Sequence, residues 1–305
     1  MSRVVSAHVS DRAVVAYFGH HKCASTWIGE ILARVAGDIG LRYTVVADKQ
    51  TPLSTGPLTD YGATFDRGDL RRRIDDTRAD LVACVTADRE QADVLHAARA
   101  FHVIRDPRDI VVSAYFSHRD SHSVEGLPHM LAHRDALRAT TRAAGLLLEM
   151  EFSKTAILQM GEWDYAQESV LEVKMEELTR DPYGGFLRIF DHLALLSDVE
   201  PSRAAHQARV WTARLLNRAA RRSSRFGRLR RPMSATGEIL LGAVYAQRFE
   251  AQTAGRRRGC EDVTSHYRKG VEGDWINYFS RHHIEAFQWH FGDLVERLGY
   301  DTGAE

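Results

Sequence analysis

The stretch from residue 14 to residue 27 constrains the fold of this chain more than any other feature. It begins with an apolar run, Val14–Phe18, which predicts a buried strand, and Gly19 then predicts a tight turn. Lys22, Ser25 and Thr26 follow, where a helix is expected to begin. The free backbone N–H groups at a helix N-terminus and the positive end of the helix dipole favour an anion. The stretch therefore predicts an anion-binding site formed by a strand, a short loop and a helix, to which the lysine adds a full charge.

The loop differs from the nucleotide-triphosphate P-loop, in which lysine directly precedes serine or threonine and four residues separate two glycines. Here Lys22 stands three residues before Ser25, and the second glycine is missing. The order Lys-x-x-Ser-Thr-Trp over residues 22–27 instead resembles the 5′-phosphosulfate loop of sulfotransferases, which use 3′-phosphoadenosine 5′-phosphosulfate (PAPS). The alternative interpretation is a basic helix start that binds no nucleotide.

A second group of polar residues follows the predicted strand that ends at Ile104. Arg105 comes at the carboxyl end of that strand, where open α/β sheets bind their ligands. Pro107 suits the first turn of the next helix, and Ser113 comes eight residues after Arg105, so the arginine and the serine can reach one phosphate. This spacing resembles the 3′-phosphate motif of sulfotransferases. Without the first loop, the stretch would be interpreted as an ordinary capped helix with a surface arginine.

A third pattern lies near the end of the chain. Arg268 and Lys269 supply charge, and Gly270 and Gly273 allow the backbone to approach a ligand closely. The surrounding sequence resembles the Arg-Lys-Gly-x-x-Gly-Asp-Trp-x-Asn-x-Phe segment of cytosolic-type sulfotransferases. Three motifs in the order of one family are thus spread over most of the chain, which is similar to PAPS-dependent sulfotransferases of the cytosolic and bacterial type.

The resemblance implies a role for each matching residue. Lys22 would neutralise the oxygen from which the sulfuryl group departs, and Trp27 would stack on adenine unless it is a core aromatic. PAPS is the implied co-substrate, and adenosine 3′,5′-bisphosphate (PAP) is its product. The scheme requires no metal, and the adjacent His20 and His21 make a poor two-ligand site, so packing against a strand or solvent exposure is expected for them. The 5′-phosphosulfate would contact Lys22, Cys23, Ala24, Ser25 and Thr26, with Cys23 and Ala24 using backbone N–H groups, and the 3′-phosphate would contact Arg105, Ser113, Arg268, Lys269 and Gly270.

Three positions depart from the family pattern. Ala24 stands where many members have glycine, so the loop must tolerate a Cβ. Met175 stands where members have a tyrosine that is expected to hydrogen-bond to adenine. The segment from residue 81 to residue 88 lacks the histidine that cytosolic members place there as the catalytic base. The base must therefore be sought elsewhere in the chain.

Four side chains are candidates for that base. Asp48 follows the second predicted strand and is the first candidate, by analogy with branches of the family that carry a base there. Asp88 ends the third predicted strand, and His118 and His122 follow the second motif. A catalytic base typically contributes about 10²–10⁴-fold to the rate. The sequence leaves the choice among these candidates open.

Apolar runs alternate with helical segments along the chain, which predicts βα units and a parallel sheet. The runs are continuous, as in strands that are buried on both faces. Together with the resemblance, this predicts an α/β fold with a central parallel sheet flanked by helices, in a three-layer sandwich like that of P-loop-containing nucleotide hydrolases. The predicted strands cover residues 14–18, 43–46, 81–85, 100–104 and 171–174, and the predicted helices cover 25–36 and 182–196, with another starting over 109–117.

A single domain is expected over residues 1–305, with an insertion at about 203–260 that matches no segment of the family. Residues 203–231 contain ten arginines and no lysine, aspartate or glutamate. One interpretation is a solvated insertion that is mainly helical or partly disordered. The other is a basic flap over an anionic substrate or a membrane surface, which would give peripheral membrane contact.

Composition limits the class of protein. The chain has 305 residues, of which 44% are hydrophobic, enough for a globular core. Its 41 basic and 41 acidic side chains cancel, so the global charge argues neither for nor against a polyanionic partner. Aromatic residues are sparse among the arginines, and no nucleic-acid partner is expected. Three widely spaced cysteines favour a reducing compartment. Without an apolar run of the ~18–20 residues that span a bilayer, or an apolar signal segment, a cytoplasmic location is expected.

The expected reaction moves a sulfuryl group from PAPS to an acceptor hydroxyl, or an amine, of a small molecule, lipid or glycoside. The acceptor and the oligomeric state are not indicated, although residues 119–150 and 203–260 are expected to shape the acceptor pocket. One alternative is a nucleotide-dependent kinase, which would need a Lys-Ser/Thr pair and an aspartate for magnesium. The other is a non-catalytic protein that binds a polyanion or a membrane under nucleotide control.

Overall fold

In the part of the chain that the structure describes, the central sheet has five strands, all parallel, as the sequence predicts. The computed structural model describes residues 14–46, 74–87, 89–197 and 204–301. The strands are β1 (Val15–Gly19), β2 (Tyr43–Val46), β3 (Leu81–Cys84), β4 (Arg99–Ile104) and β5 (Val170–Lys174). Their order across the sheet is β2-β3-β1-β4-β5, which places β1 at the centre.

Helices connect and cover the strands. Those of the first half are α1 (Ser25–Ile39), α2 (Arg89–Leu95), α3 (Pro107–Phe116), α4 (Pro128–Arg138), α5 (Arg142–Phe152) and α6 (Lys154–Gly161). Those of the second half are α7 (Met175–Arg180), α8 (Pro182–His192), α9 (Ala204–Arg222), α10 (Gly237–Ala246), α11 (Phe249–Gln252), α12 (Arg281–Phe291) and α13 (Leu294–Arg297). A π-helical turn, Ser117–Ser121, continues α3, and 3₁₀ turns cover Ser224–Leu229 and Asp274–Asn277.

Both faces of the sheet are buried, which explains the continuous apolar runs. Tyr17 and Phe101 point to one face and pack among residues of α1, α8 and α10. Ala16 and Phe18, from the same central strand, point to the other face and pack with residues of α2 and the segment after α6. Period-2 alternation along β1 thus contributes to two cores at once. The expected three-layer α/β fold is confirmed.

The strand order reverses at β1, because α1 leads to β2 on one side while β4 and β5 lie on the other. Gly19, the last residue of β1, pairs in register with Val103, one residue before the end of β4. The segments after these two strands therefore leave the sheet side by side. A reversal of this kind opens a crevice at the carboxyl edge, where α/β proteins bind ligands.

The ends of the elements follow local chemistry. Helix α1 extends three residues beyond its predicted end and stops at Gly40, whose φ of 76° is the left-handed conformation of a helix C-cap. Helix α8 stops at His192 rather than at residue 196, since the chain turns at Ala194 with a φ of 54°. The loop predicted over residues 50–64 lies outside the described residues.

The arginine-rich segment packs against α1 through polar contacts. Arg214 and Arg218 of α9 both donate to the carboxylate of Asp38, at 2.7 and 2.8 Å. Asn217, between them, donates to the backbone carbonyl of Asp38 and accepts from the N–H of Arg231. Within the described residues, no helix is long and apolar enough to cross a membrane.

Candidate active site

The loop between β1 and α1 holds two non-glycine residues in the left-handed region. Lys22 has a φ of 61° and Ala24, the N-cap of α1, has a φ of 59°. This conformation costs a residue with a Cβ about 1–2 kcal/mol. The N-cap Ala24 has no polar side chain with which to cap the helix, so the N–H groups of its first turn remain directed at the crevice. The departure from glycine at Ala24 is thus accommodated in a strained loop.

Cys23, in the same loop, packs its side chain into the core. Its backbone N–H donates to the carbonyl of His20 at 3.1 Å, so the group expected to face the phosphosulfate is engaged within the loop. Its side chain is fully buried, and burial raises the pKa of the thiol to about 12. The thiol is therefore neutral at physiological pH, a poor state for a nucleophile.

Lys22 reaches across to the end of α3. Its Nζ donates to the hydroxyl of Ser117 at 2.6 Å. Burial lowers the pKa of Lys22 to about 8, with the Glu149 carboxylate opposing that shift and the Arg105 guanidinium adding to it. The ammonium is thus already desolvated and lies among basic neighbours. An anion placed beside it would gain a strong electrostatic interaction.

Arg105 follows β4 directly and is 8% exposed. Its Nη1 donates to the carbonyl of Lys22 at 3.2 Å, and its Nη2 lies 3.7 Å from a carboxylate oxygen of Asp109. Ser113, two turns along α3, lines the same cavity. The arginine therefore links the loop of the first motif to the helix of the second.

The third motif is organised around one buried carboxylate, Asp274. Arg268 donates to Asp274 at 2.5 Å and Lys269 at 2.6 Å, on opposite oxygens. The guanidinium of Arg268 also lies 4.6 Å from the ring centroid of Phe116. Gly270 has a φ of 68°, and a Cβ there would come within 2.7 Å of the Phe249 ring. The glycine is required by both its conformation and its surroundings.

One cavity collects the predicted nucleotide-binding residues of all three motifs. Cys23, which is absent from the cavity wall, is the exception. The predicted residues that line it are Lys22, Ala24, Ser25, Thr26, Trp27, Arg105, Ser113, Arg268, Lys269 and Gly270. Side chains from the two ends of the chain therefore share one site at the carboxyl edge of the sheet.

Trp27 fits both interpretations given for it. It is 8% exposed, packs edge-on against Phe186 and belongs to the main core. Its Nε1 donates to the carbonyl of Gln247 at 2.9 Å, and the residue also lines the cavity. The hydrogen bond holds the ring in one orientation, as a stacking platform for a base requires.

Several residues of the cavity wall were not predicted from the sequence, and three of them carry polar groups of particular interest. Arg258 donates to the carbonyl of Thr179 at 2.8 Å and adds a further cation to the wall. Tyr267 brings a hydroxyl that is buried without a hydrogen-bond partner among the described residues. His266 lies beside it. The run Arg256-Arg257-Arg258 before Gly259 was the one available signal, and it resembled an ordinary charged surface.

The arginine-rich segment does not form a flap over this cavity. Of its ten arginines, Arg203 lies outside the described residues, and none of the others lines the cavity. Arg214 and Arg218 are held at the C-terminal end of α1 by Asp38, whereas the cavity opens at the N-terminal end. The expectation of a flap over an anionic substrate was therefore wrong. The insertion instead contributes Gln247, Phe249 and Arg258, and residues 119–150 contribute Ser121 and His122.

The candidate bases divide into two groups. Asp48 and Asp88 lie outside the described residues, so their roles stay predictions. His122 lines the cavity, and its Nδ1 donates to the carbonyl of Ser123 at 2.6 Å. His118 is buried behind the cavity wall, and its Nδ1 bonds to Glu149 at 3.0 Å.

Side chains of metal-ligand type also meet there, although the sequence showed no such cluster. Donor atoms of His118, His133 and Glu149 all lie within 4.8 Å of one another. Hydrogen bonds already join them, with Nε2 of His133 donating to Glu149 at 2.8 Å. The group is a buried hydrogen-bonded network as it stands. Its members are far apart in sequence, so spacing gave no signal.

No family model matches the chain, and no curated protein matches it. Among solved structures, retinol dehydratase in complex with androsterone and inactive cofactor PAP has a TM-score of 0.51 at 12% identity, over 94% of this chain and 81% of that one. The chain has the fold of retinol dehydratase. At this identity the likeness establishes the architecture alone.

Two further structures have lower TM-scores. Mouse sulfotransferase SULT7A1 complexed with PAP has a TM-score of 0.49 at 15% identity, over 93% of this chain and 85% of that one. A sulfotransferase from Alicyclobacillus acidocaldarius has a TM-score of 0.35 at 15% identity, over 71% and 99%.

Proposed function

We propose that this chain is a PAPS-dependent sulfotransferase. The observation that carries the proposal is the convergence of Lys22, Arg105, Arg268 and Lys269 on one cavity at the N-terminus of α1. The co-substrate carries two anionic ends, and the cavity offers cations and hydroxyls from two separate parts of the chain. Retinol dehydratase, which shares the fold, was crystallised with PAP.

The two ends of the nucleotide would be held by different motifs. The phosphosulfate fits Lys22, Ser25, Thr26 and the free N–H groups of α1, with the N–H of Ala24 beside them. The 3′-phosphate fits the other side of the cavity. Its proposed ligands are Arg105, Ser113, Arg268, Lys269 and the backbone of Gly270, with Trp27 as the platform for adenine.

The reaction places the sulfuryl group between two oxygens. As its bond to the phosphate oxygen breaks, negative charge grows on that oxygen, and Lys22 is the ammonium available to neutralise it. The first-turn N–H groups of α1 stabilise the same charge. By analogy with phosphoryl transfer, positioning and electrostatic stabilisation supply most of the catalysis. Asp48 stays the sequence-based candidate for the base.

Calorimetric binding of PAP and transfer of ³⁵S from PAPS test this proposal. Arg105→Ala and Arg268→Ala should each lower PAP affinity by roughly 10–100-fold, because each removes a charge-assisted contact. Lys22→Ala should abolish turnover while PAP binding through Arg105 and Ser113 persists. Arg281→Ala, at a side chain that is 93% exposed, is the matched control.

Three results would contradict the proposal. They are full activity of Lys22→Ala, the absence of PAP binding by the wild type, and turnover that depends on magnesium with a nucleoside triphosphate. The last result would favour the kinase alternative.

We further propose a small-molecule, lipid or glycoside acceptor and a cytoplasmic location, with peripheral membrane contact through α9 and the turn after it. Trp211 is 64% exposed and Leu215, one turn later, is 46% exposed. Phe226 is 49% exposed among arginines. Exposed apolar side chains within a basic surface suit an anionic lipid headgroup layer.

Vesicle sedimentation tests the membrane contact. Binding should require phosphatidylserine in phosphatidylcholine vesicles and should weaken with salt. It should fall when Arg221, Arg222, Arg230 and Arg231 are changed together to glutamine. Equal binding of that variant, or of wild type to pure phosphatidylcholine, would contradict it.

A further inference from the structure

A chain of side chains connects the cavity wall to a buried carboxylate. His21 lies directly before Lys22 in the loop, is half-buried and lines the cavity. Its Nε2 lies 3.1 Å from Nε2 of His118. The two rings have centroids 5.1 Å apart and planes 25° apart, so they meet nearly edge to edge, as a hydrogen bond in the ring plane requires.

Glu149 forms the buried end of this chain. It accepts hydrogen bonds from Nδ1 of His118 at 3.0 Å, Nε2 of His133 at 2.8 Å and the hydroxyl of Ser153 at 2.5 Å. Burial alone would raise the pKa of Glu149, but His118 and these three hydrogen bonds outweigh it and lower the pKa to about 2. The carboxylate is therefore ionised and accepts only.

Because Glu149 only accepts hydrogen bonds, it determines which nitrogen of His118 carries a proton, and His118 in turn determines this for His21. Nδ1 of His118 must carry the proton that is donated to Glu149. Because burial lowers the pKa of His118, the ring is neutral, and its Nε2 carries a lone pair. Nε2 of His21 must then donate to that lone pair. The other nitrogen of His21, Nδ1, is therefore unprotonated and carries a lone pair.

That lone pair faces no hydrogen-bond partner within residues 14–46, 74–87, 89–197 and 204–301. Among the described residues, Nδ1 of His21 makes no hydrogen bond, and it is not one of the buried polar atoms left without a partner. The ring lines the cavity next to Lys22, the residue proposed to neutralise the leaving oxygen. His118 and Glu149 do not line the cavity, and among the described residues the side-chain hydrogen bonds of His118 connect Glu149 to His21 in the cavity wall.

We propose that His21 is the catalytic base of the sulfuryl transfer and that His118 and Glu149 are positioning residues that hold its tautomer. This inference rests on the proposed function. As the acceptor oxygen forms its bond to sulfur, its proton passes to Nδ1 of His21. The bond between sulfur and the phosphate oxygen breaks, and its electron pair leaves with PAP. The charge on His21 is relieved when its Nε2 proton moves to Nε2 of His118, beside the Glu149 carboxylate.

The surroundings of His21 keep it neutral until this step. Burial lowers the pKa of His21 well below its usual value, and the charge of Lys22 lowers it further. Such a lowered pKa alone would make a weak base. The relay offsets this, because the proton finally resides on a ring that is hydrogen-bonded to an ionised carboxylate.

A parallel arrangement beneath the same loop serves as an internal comparison. Nε2 of His20 lies 2.7 Å from Nε2 of His102, whose Nδ1 lies 2.6 Å from Glu172. His20 is 1% exposed and does not line the cavity. Two histidines that are adjacent in sequence thus end two carboxylate–histidine chains, and only that of His21 opens to the site.

The first test needs no acceptor. Nitrogen-15 NMR of the histidine rings should show His21 as the Nε2–H tautomer with an unprotonated Nδ1, both free and with PAP bound. His118→Gln or Glu149→Gln should release that preference, and Ser153→Ala should leave it nearly unchanged. A protonated Nδ1 on His21 in the wild type would overturn the proposal.

The second test compares two acceptors of similar shape, 4-nitrobenzyl alcohol and 4-nitrophenol. The phenol ionises readily without help, whereas the alcohol does not. His21→Gln should lower kcat by about 10²–10⁴-fold for the alcohol and much less for the phenol, with PAP affinity unchanged. His118→Gln and Glu149→Gln should show the same pattern more weakly, in kcat rather than KM.

Control variants separate the possible outcomes. His282→Asn, at an exposed histidine, should behave as wild type with both acceptors. An acceptor-dependent loss in Asp48→Asn, Asp88→Asn or His122→Asn but not in His21→Gln would overturn the proposal, as would a loss on chelation that zinc restores. Failure of the wild type to bind PAP would instead overturn the proposed function and leave the tautomer measurement to stand.

Discussion

The carboxylate of Asp109, in the first turn of α3, accepts a hydrogen bond from the backbone N–H of Gly273 at 2.7 Å. Its other oxygen accepts from the N–H of Trp275 at 2.9 Å. Asp109 is 1% exposed and also lies 3.7 Å from the guanidinium of Arg105. One buried side chain thus joins the second motif to the third, so the two halves of the proposed phosphate site depend on each other.

Asp109→Ala should destabilise the protein by about 2–4 kcal/mol, since two buried N–H groups lose their acceptor. PAP affinity should fall as well, because the segment that carries Arg268 and Lys269 loses its anchor. Asp109→Asn, which keeps one acceptor oxygen, should have a stability and a PAP affinity between those of Asp109→Ala and the wild type. Urea denaturation and PAP calorimetry measure the two effects, with the exposed Asp293→Asn as control. Equal stability of Asp109→Ala and wild type would refute the coupling.

Gly270 and Gly273 form a matched pair for separating strain from crowding. Both have a φ of 68°, but a Cβ at Gly270 meets the Phe249 ring at 2.7 Å, whereas nothing lies within 4 Å at Gly273. Gly273→Ala should lower the free energy of unfolding by about 1–2 kcal/mol, because alanine is strained in the left-handed backbone conformation. Gly270→Ala should cost a further 1–3 kcal/mol or so from overpacking, partly recovered by Phe249→Leu. Denaturant titrations that rank the two alanine variants equally would exclude the steric contribution.

Binding of PAP near pH 8 should be accompanied by proton uptake. Burial lowers the pKa of Lys22 to about 8, so the free protein is partly deprotonated there. A bound anion favours the ammonium and raises that pKa, which draws in a proton. Calorimetry in buffers of different ionisation heat measures the uptake, and Lys22→Met should abolish it. An uptake that persists in the variant would assign the proton to another group or to the nucleotide.

The sequence predicts the sheet and the gathering of the three motifs around one cavity because both depend on local patterns. The bounds of β2 agree with the prediction, since a short apolar run between polar residues allows one placement. Arg105 and Lys22 could be expected at one edge, because the carboxyl ends of parallel strands meet there. Cys23 departs from expectation because its N–H closes a turn onto His20, which a motif does not reveal.

The histidine relay could not be predicted, because it depends on contacts between distant segments. His21 and His118 are 97 positions apart, and His118 and Glu149 are 31 positions apart. The π-helical turn Ser117–Ser121 sets where His118 points, and its sequence carries no distinctive signal for such a turn. The same turn brings the Ser117 hydroxyl to Lys22.

Glu172 should make the stability of the protein fall as pH rises from about 4.5 to about 7. Burial raises its pKa to about 7 from a usual value of 4.5, although a hydrogen bond from Trp163 opposes the shift. The folded state therefore keeps a proton in this window that the unfolded state has lost. His102, whose pKa burial lowers to about 3, acts in the opposite direction as pH falls below 6.5. The effect of Glu172 is therefore measured as the Tm of the wild type minus the Tm of Glu172→Gln. This difference should be positive at pH 4.5 and should decrease as the pH rises to 7. Glu285→Gln, at a carboxylate that is 58% exposed, should follow the wild type throughout. A pH-independent difference between wild type and Glu172→Gln would show that this carboxyl group has an ordinary pKa in the folded protein.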